Sequence, residues 1–148
     1  MKVHFHKNHF FDLASQVDYV DKRLQDNLSN QVITQVCDHL SAFYIHDIIL
    51  MSQFNAQGAE QLKIDFEKGI RAIFSQHVLD QSKLESYSQL NDVIHLLIMK
   101  QANAILLLET LSDAKQQSNY PEILKEVGIT HLKGEQAVKI LNKRVDLK

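Results

Sequence analysis

The stretch Gln53-Phe-Asn-Ala-Gln-Gly-Ala-Glu-Gln-Leu-Lys-Ile-Asp-Phe66 is the sharpest break in a chain whose apolar residues otherwise follow a helical spacing. Asn55 and Gly58 tolerate positive φ, so we expect the chain to reverse its direction here. One proline and four glycines among 148 residues is a low count of helix breakers. Because the predicted connections are short, the sequence predicts an all-α fold in the form of an up-and-down helical bundle.

The segment before the break is predicted to form one long N-terminal helix from Leu13 to Met51. Apolar residues recur along it at intervals of mostly three or four, which predicts a single apolar stripe: Leu13, Val17, Val20, Leu24, Leu28, Val32, Val36, Leu40, Phe43 and Leu50. Near Phe43 the helix becomes apolar on more sides, which indicates that its end enters the core. Residues 1–12 are predicted to be a lead-in and residues 13–148 a single domain.

Five further helices are predicted after the break, with bounds at Ala59–His77, Leu84–Met99, Asn103–Leu111, Glu122–Val127 and Lys133–Arg144. The segment 100–103 is predicted to be a hinge in which Asn103 caps the next helix. The run 104–108 is apolar nearly all round, which predicts a central position in the bundle. Gly69 is expected at a close contact between helices, and Gly128 is expected to end the short helix before it.

Charge and cysteine content exclude several classes of protein. A net charge of −2 and a pI near 6.4 argue against binding to nucleic acid, which requires a basic face. Cys37 is the single cysteine, so it is expected to be a buried, reduced thiol without a disulfide partner. No uninterrupted run of about 20 apolar residues is present, which predicts a soluble protein that is at most peripheral to a membrane.

Candidate catalytic and metal-binding residues are sparse. The cluster His4, His6 and His9 is the best metal candidate, but it lacks nearby cysteine or glutamate ligands. A metal site inside a bundle needs two Glu-x-x-His pairs. Asp92 and His95 form the nearest match, and we expect them to share a hydrogen bond on the helix surface. No nucleophile elbow or phosphate-binding loop is present, so we predict no catalytic residue, no cofactor and no metal.

Other polar and aromatic side chains have structural interpretations. His39 and His46 share a helix face and are expected at the edge of the core. The basic C-terminal end is expected to complement the C-terminus of the last helix: Lys139, Lys143, Arg144 and Lys148. The tyrosines are candidates for exposed aromatic contacts or for the core: Tyr19, Tyr44, Tyr87 and Tyr120. Three phenylalanines are expected to leave an exposed apolar patch at the N-terminal end: Phe5, Phe10 and Phe11.

Three segments together resemble one family. They are residues 50–66, the helix pair 90–111, and Glu126-Val-Gly-Ile129 followed by Leu132 and the closing run 137–146. This combination resembles the C-terminal region of the RINT-one/Tip-twenty family. The residues that carry the resemblance, all in structural roles, are Phe54, Gly58, Ala59, Gln61, Leu62, Asp65, Gly128, Leu132, Leu141 and Arg144. The family tends to have a glycine pair at the break, whereas Gln57 precedes a single Gly58 here.

The resemblance implies a function in vesicle tethering. Members of that family are subunits of the Dsl/NRZ complex, which tethers vesicles in Golgi-to-ER retrograde transport, and they are built like the helical rods of COG, exocyst and GARP subunits. It implies a non-enzymatic interaction module, the distal domain of such a rod, which binds ER SNAREs or other tether subunits. The chain would be monomeric on its own, cytoplasmic and peripheral at the endoplasmic reticulum membrane.

Two alternative functions stay open. A nuclear or checkpoint adaptor that acts through protein partners is the first alternative, and a metal-dependent bundle enzyme is the less favoured second.

The resemblance covers about residues 38–146, which correspond only to the tail of a much longer family member. We therefore expect the lead-in to be a truncated junction of a fragment or of a shortened gene product.

Overall fold

The computed structural model describes residues 7–77, 84–113 and 118–147, with side chains from Phe11 onward. Its α-helices are α1 (Lys7–Arg23), α2 (Asp26–Phe43), α3 (Ala56–Asp65), α4 (Ala72–Phe74), α5 (Glu85–Ile98), α6 (Gln101–Ser112), α7 (Tyr120–Glu126) and α8 (Gly134–Leu141). Two π-helical segments, Tyr44–Ile49 and Phe66–Arg71, follow α2 and α3 without a break, and Val145–Leu147 is a 3₁₀ turn. The described residues contain no strand, and the predicted all-α bundle is confirmed.

The prediction of a single long N-terminal helix from Leu13 to Met51 was wrong. Helix α1 begins earlier, at Lys7, and the chain turns before Asp26, where Gln25 has an extended backbone with φ −61° and ψ 144°. Across the turn, Ser29 Oγ donates a hydrogen bond to Asp21 Oδ1 at 2.8 Å, and α1 packs against α2. Asp26 in the first turn of α2 complements the positive end of that helix. The apolar period continues through the turn, so the pattern alone could not reveal it.

Helix α2 buries a different face from the one that its apolar stripe predicts. Its buried residues are Ser29, Ile33, Cys37 and Ser41, whereas Leu28, Val36 and Phe43 are exposed. Small side chains on the buried face allow neighbouring helices to approach closely. The buried Ser41 hydroxyl donates to the Cys37 carbonyl at 2.8 Å, so its burial leaves no unsatisfied donor. The sequence identified an apolar stripe, but packing selected the adjacent row of residues.

Cys37 is fully buried, as predicted. Burial raises the pKa of its thiol to about 12. The reactive thiolate is therefore scarce at neutral pH and also inaccessible. We expect Ellman's reagent to leave the folded chain unmodified for hours and to titrate one thiol per chain once urea has unfolded it. Free cysteine is the reference, and labelling of the native chain at a comparable rate would contradict this burial.

The π-helical segment Tyr44–Ile49 carries the end of α2 into the core, as the sequence predicted. Its buried residues are Tyr44, Ile45 and Ile49. The backbone N–H of Leu50 donates to the carbonyl of Ile45 at 3.0 Å, which is the i→i+5 spacing of a π-helix. This wider turn places Tyr44 and Ile49 on the same side of the segment. The second π-helical segment buries Gly69, together with Phe66 and Ile70.

Helix α5 occupies the centre of the bundle. It packs against α2, α3 and α8, and its buried apolar residues are Tyr87, Leu90, Val93, Ile94, Leu96 and Leu97. The central position predicted for the run 104–108 in α6 was therefore wrong. Helix α6 buries Ala104, Leu107 and Leu111 on one side, whereas Ile105 and Leu106 are exposed.

The bend between α5 and α6 lies slightly earlier than the predicted hinge. The two helices meet at 115° across Met99 and Lys100. Asn103 lies within α6 and does not cap it, because the N-cap position is Lys100. The bend places the start of α6 beside the end of α5, and this corner is part of the candidate site below.

The remaining differences concern helix ends. The helix after the break begins at Ala56 and not at Ala59, and α8 ends at Leu141 and not at Arg144. After Leu141 the backbone N–H groups of Lys143 and Arg144 bond three residues back, which tightens the chain out of the α-helix. Pro121 lies in the first turn of α7, as predicted. At the N-terminal end Phe11 is exposed, while the side chains of Phe5 and Phe10 lie outside the described residues.

Candidate functional site

The break before α3 and the segment after α8 meet in the folded chain. Phe54 and Arg144 form an isolated parallel β-bridge. The N–H of Phe54 donates to the carbonyl of Lys143 at 2.7 Å, and the N–H of Val145 donates to the carbonyl of Phe54 at 2.9 Å. The resemblance assigned these residues to separate segments, and the structure brings them into contact. We call this contact, with the Arg144 side chain and its partners, the Arg144 junction.

Arg144 is 4% exposed, and its guanidinium is the centre of the junction. Nη1 donates to the carbonyls of Leu96 and Met99 at 3.1 and 2.6 Å. Nε and Nη2 donate to the two carboxylate oxygens of Asp146 at 3.1 and 2.7 Å, a bidentate pair. The final carbonyls of a helix have no partner within the helix, and Arg144 supplies one for α5. The expected role of Arg144 at the end of the last helix was wrong, because it caps α5 instead.

The junction also holds the start of α6. Gln101 Nε2 donates to the backbone carbonyl of Asp146 at 2.6 Å. The end of α5, the start of α6 and the segment after α8 are therefore connected through Arg144, Asp146 and Gln101. Asp146 and Gln101 were missed by the sequence analysis, because their role depends on contacts between distant parts of the chain.

The ion pair of the junction predicts a dependence of stability on pH. The hydrogen bond from Arg144 holds the pKa of the Asp146 carboxyl below its ordinary value of 3.8. A carboxyl whose pKa is lowered by folding stabilises the fold above its unfolded pKa, and the contribution disappears as pH falls through the folded pKa. We expect the difference in unfolding free energy between the wild type and Asp146→Asn to be constant near neutral pH and to shrink below about pH 4. Urea titrations across that range measure it, and a difference that grows on acidification would contradict the assignment.

The break itself is a helix cap and not a reversal with positive φ. Asn55 has φ −91°, and its side chain accepts a hydrogen bond from the Gly58 N–H at 2.8 Å. Among the described residues only Gly128 has positive φ, so Asn55 and Gly58 do not use the positive φ that they tolerate. A Cβ on Gly58 would lie 3.2 Å from Asn55 Oδ1. The single glycine leaves room for the cap.

The other residues of the resemblance on α3 lie on two sides of that helix. Ala59 and Leu62 are buried in the core. Gln61 and Asp65 lie one turn apart, and Gln61 Nε2 donates to Asp65 Oδ1 at 2.8 Å. The arrangement stabilises the helix itself, and it contains no group placed for chemistry on a ligand.

Gly128 ends α7 as predicted, with φ 80°. The N–H of Ile129 donates to the carbonyl of Leu124 at 2.9 Å, and the N–H of Gly128 donates to that of Lys125 at 3.0 Å. These two bonds and the burial of Leu124 and Ile129 form a Schellman motif. Two further residues of the resemblance, Leu132 and Leu141, are buried in the core.

Asp92 has a role that the sequence analysis missed. Its buried carboxylate accepts the backbone N–H groups of Thr130 and His131 at 2.9 and 2.6 Å and so fixes the loop before α8. His95 is exposed, and the predicted surface hydrogen bond between it and Asp92 was wrong. An acidic residue inside the most buried helix was the available signal, since such a residue needs partners.

The remaining candidate residues do not converge. In the part of the chain that the structure describes, no three His, Cys, Asp or Glu side chains lie close enough together to hold a metal ion. The side chains of His4, His6 and His9 lie outside that part. His39 and His46 are exposed and not at the core edge. Tyr44 and Tyr87 are buried, Tyr120 is partly buried and Tyr19 is exposed.

A shallow cleft lies between α3, the π-helical segment after it and α5. Its volume is about 180 Å³, and its lining residues are Lys63, Phe66, Glu67, Asn91, Ile94, His95 and Ile98. Pockets for small molecules usually measure about 300–1,000 Å³. The cleft is therefore better suited to one side chain of a protein partner than to a metabolite.

The apolar content of α5 and α6 raises the question of a membrane span. Among the described residues no single helix has the length and apolar character to cross a membrane. Helices α5 and α6 together satisfy those two criteria, although the 115° bend separates them.

The sequence of the chain is similar to known proteins over most of its length. The sequence model of the RINT-1/TIP-1 family matches residues 9–144, a range that contains Phe54 and Arg144. A RINT1-like protein of Drosophila melanogaster is 24% identical over 136 residues, which make up 92% of this chain and 18% of that relative. No solved structure gives a significant match. On the extent of the family match, this chain belongs to the RINT-1/TIP-1 family.

Proposed function

We propose that the chain is a non-enzymatic interaction module of a vesicle-tethering subunit in Golgi-to-ER retrograde transport. In this proposal it binds ER SNAREs or neighbouring tether subunits, and it reaches the endoplasmic reticulum membrane peripherally, through those partners. Membership of the RINT-1/TIP-1 family supports a tethering-related role based on protein interaction. The chain spans 18% of the length of the Drosophila relative, so the proposal concerns one module of such a protein.

The observation that carries the proposal is the position in the fold of the residues that carry the resemblance. Phe54, Leu62 and Arg144 are buried, and the hydrogen bonds of Arg144 all go to other parts of the same chain. Large apolar side chains on α2 and α6 are exposed instead. A module with a fixed interior and apolar surface residues is suited to contacts between helices, such as those of an amphipathic helix in a groove.

Affinity capture tests the proposal directly. The purified chain is immobilised, incubated with a detergent-solubilised ER–Golgi extract, and the retained proteins are identified by mass spectrometry. We expect enrichment of ER SNAREs or of other tether subunits over a helical bundle of similar charge and size. Capture of neither class by a chain whose circular dichroism shows folded helices would contradict the proposal.

The monomeric state proposed for the isolated chain is tested separately. Light scattering coupled to size-exclusion chromatography should give the mass of one chain, 17.1 kDa. A stable dimer at micromolar concentration would overturn that part of the proposal.

A further inference from the structure

Helix α6 presents an apolar patch on the side that faces away from the bundle. Ile105 is 39% exposed and Leu106 is 65% exposed, and the exposed Ala102 lies one turn earlier. Residues three and four positions apart lie on the same side of a helix. The Thr110 hydroxyl donates to the Leu106 carbonyl at 2.7 Å, so it is turned back onto the helix and adds little polarity. Exposed apolar side chains therefore lie next to one another here.

The charge that borders this patch lies at its C-terminal end. No charged residue occurs in the run 101–108, and Glu109 follows it on the side of Ile105 and Leu106, whereas Lys100 lies toward the opposite side of the helix. Both are exposed, and neither forms an ion pair with a described residue. An uncharged apolar centre with a charged rim is the usual composition of a protein–protein interface. We call Ala102, Ile105, Leu106 and Glu109 the α6 outer face.

The exposed apolar residues of α2 differ in this respect. Leu28, Val36 and Phe43 are exposed and lie on one side of α2, but the apolar residues between them on that side, Val32 and Leu40, are half-buried. No charged residue other than Asp38 occurs between Leu28 and Phe43, and Asp38 accepts two hydrogen bonds from Ser86. The stretch from Leu28 to Phe43 therefore lacks an exposed charge that could select a partner.

We propose that the α6 outer face binds an amphipathic helix of a partner protein. The partner helix carries apolar residues three or four positions apart, which pack on Ile105 and Leu106. It places a basic residue beside Glu109. Ala102 and Glu109 are seven positions apart, a rise of about 10 Å, so about two turns of the partner suffice. The inference rests on the proposed function, since it names the surface through which a SNARE or tether helix is bound.

A displayed library of helical peptides tests the face before any natural partner is identified. The apolar positions of the peptides are fixed, and the flanking positions vary among Lys, Glu and Gln. Selection on the wild-type chain is expected to enrich Lys on the flank that meets Glu109 by about tenfold over Glu, which corresponds to about 1.4 kcal/mol. Selection on Glu109→Lys is expected to enrich Glu at the same positions. Failure of the wild-type chain to enrich any peptide, or the same preference with both chains, would overturn the proposal.

Matched variants place the binding on α6. Leu106→Ser and Ile105→Ser are expected to lower peptide affinity about tenfold or more, as truncation of a central contact does. Ile64→Ser is the control, because Ile64 is 40% exposed, close to the value of Ile105, but lies on α3. An equal loss of peptide affinity with Ile64→Ser would contradict the proposal. Flotation with anionic vesicles distinguishes a lipid surface, and vesicle binding that Leu106→Ser abolishes would assign the face to lipid and overturn a helical partner.

Repeating the affinity capture with Leu106→Ser separates this inference from the proposed function. Capture of ER SNAREs or tether subunits by the wild type, but not by the folded variant, supports both. Undiminished capture by the variant would overturn the α6 outer face and leave the tethering proposal intact. Charge-selective peptide binding by a wild-type chain that captures neither class would support the face and contradict the tethering proposal.

Discussion

Replacing Arg144 with methionine is expected to destabilise the fold by about 2–4 kcal/mol, because each buried carbonyl left without a donor costs about 1–3 kcal/mol. Methionine keeps most of the apolar volume and removes every donor. The carbonyls of Leu96 and Met99 would lose their side-chain donor, and Asp146 would lose its ion-pair partner. Buried acceptors without a partner account for most of the loss. Urea unfolding followed by circular dichroism measures the change.

Two further variants make the Arg144 prediction specific. Lys143→Met changes the adjacent, half-buried cation, and we expect its effect to stay within about 0.5 kcal/mol, as for an ordinary surface substitution. Arg144→Lys keeps the charge but lacks the planar fork that holds both oxygens of Asp146, so it should recover only part of the loss. A loss below about 1 kcal/mol for Arg144→Met would mean that water replaces the guanidinium and that the junction is not buried in solution.

The fold class could be predicted because apolar spacing is a local signal. The same signal could not place the turn before Asp26, since the apolar period of α1 continues into α2. Tertiary contacts stabilise that turn, because Ser29 donates a hydrogen bond to Asp21 and α1 packs on α2. The buried row of α2 could not be predicted from the sequence either, because close packing selected Ser29 and Ser41 over larger apolar neighbours.

Composition was most misleading at α6. The run 104–108 is apolar on every side, which usually indicates burial. The helix lies after a 115° bend, and its main neighbours, α8 and the segment 145–147, leave Ile105 and Leu106 uncovered. Composition records how apolar a helix is, and the topology decides how many neighbours it has. That mismatch is what leaves the α6 outer face open to a partner.

The candidate site could be located in the sequence but not assembled from it. The resemblance identified Phe54 and Arg144, and it placed both in structural roles. Their contact joins residues far apart in sequence, and the two carbonyls that accept from Arg144 lie 48 and 45 residues away in the chain. No periodic pattern encodes such a pairing. Asp146 and Gln101 were missed for the same reason, because each matters only through the other parts of the junction.

Truncating Phe54 to alanine is the second large effect that we expect, with a loss of about 3 kcal/mol in unfolding free energy. Phe54 is buried beside the junction and packs in the main core. Its backbone bonds to Lys143 and Val145 would remain possible, so the loss reports on the side chain alone. Met51→Ala is the matched control three residues earlier, because Met51 is 80% exposed and should change stability by no more than about 0.5 kcal/mol.

A double-mutant cycle shows whether the two sides of the junction act as one unit. The full truncations of Phe54 and Arg144 together approach the total stability of a small domain, so Phe54→Leu is combined with Arg144→Met. Residues that share a structural contact usually show coupling of about 0.5–3 kcal/mol. We expect coupling in this range, because loosening the segment after α8 also loosens its bridge to Phe54. Effects that add to within about 0.3 kcal/mol would instead mean that the break and the closing segment are stabilised independently, although they lie in contact.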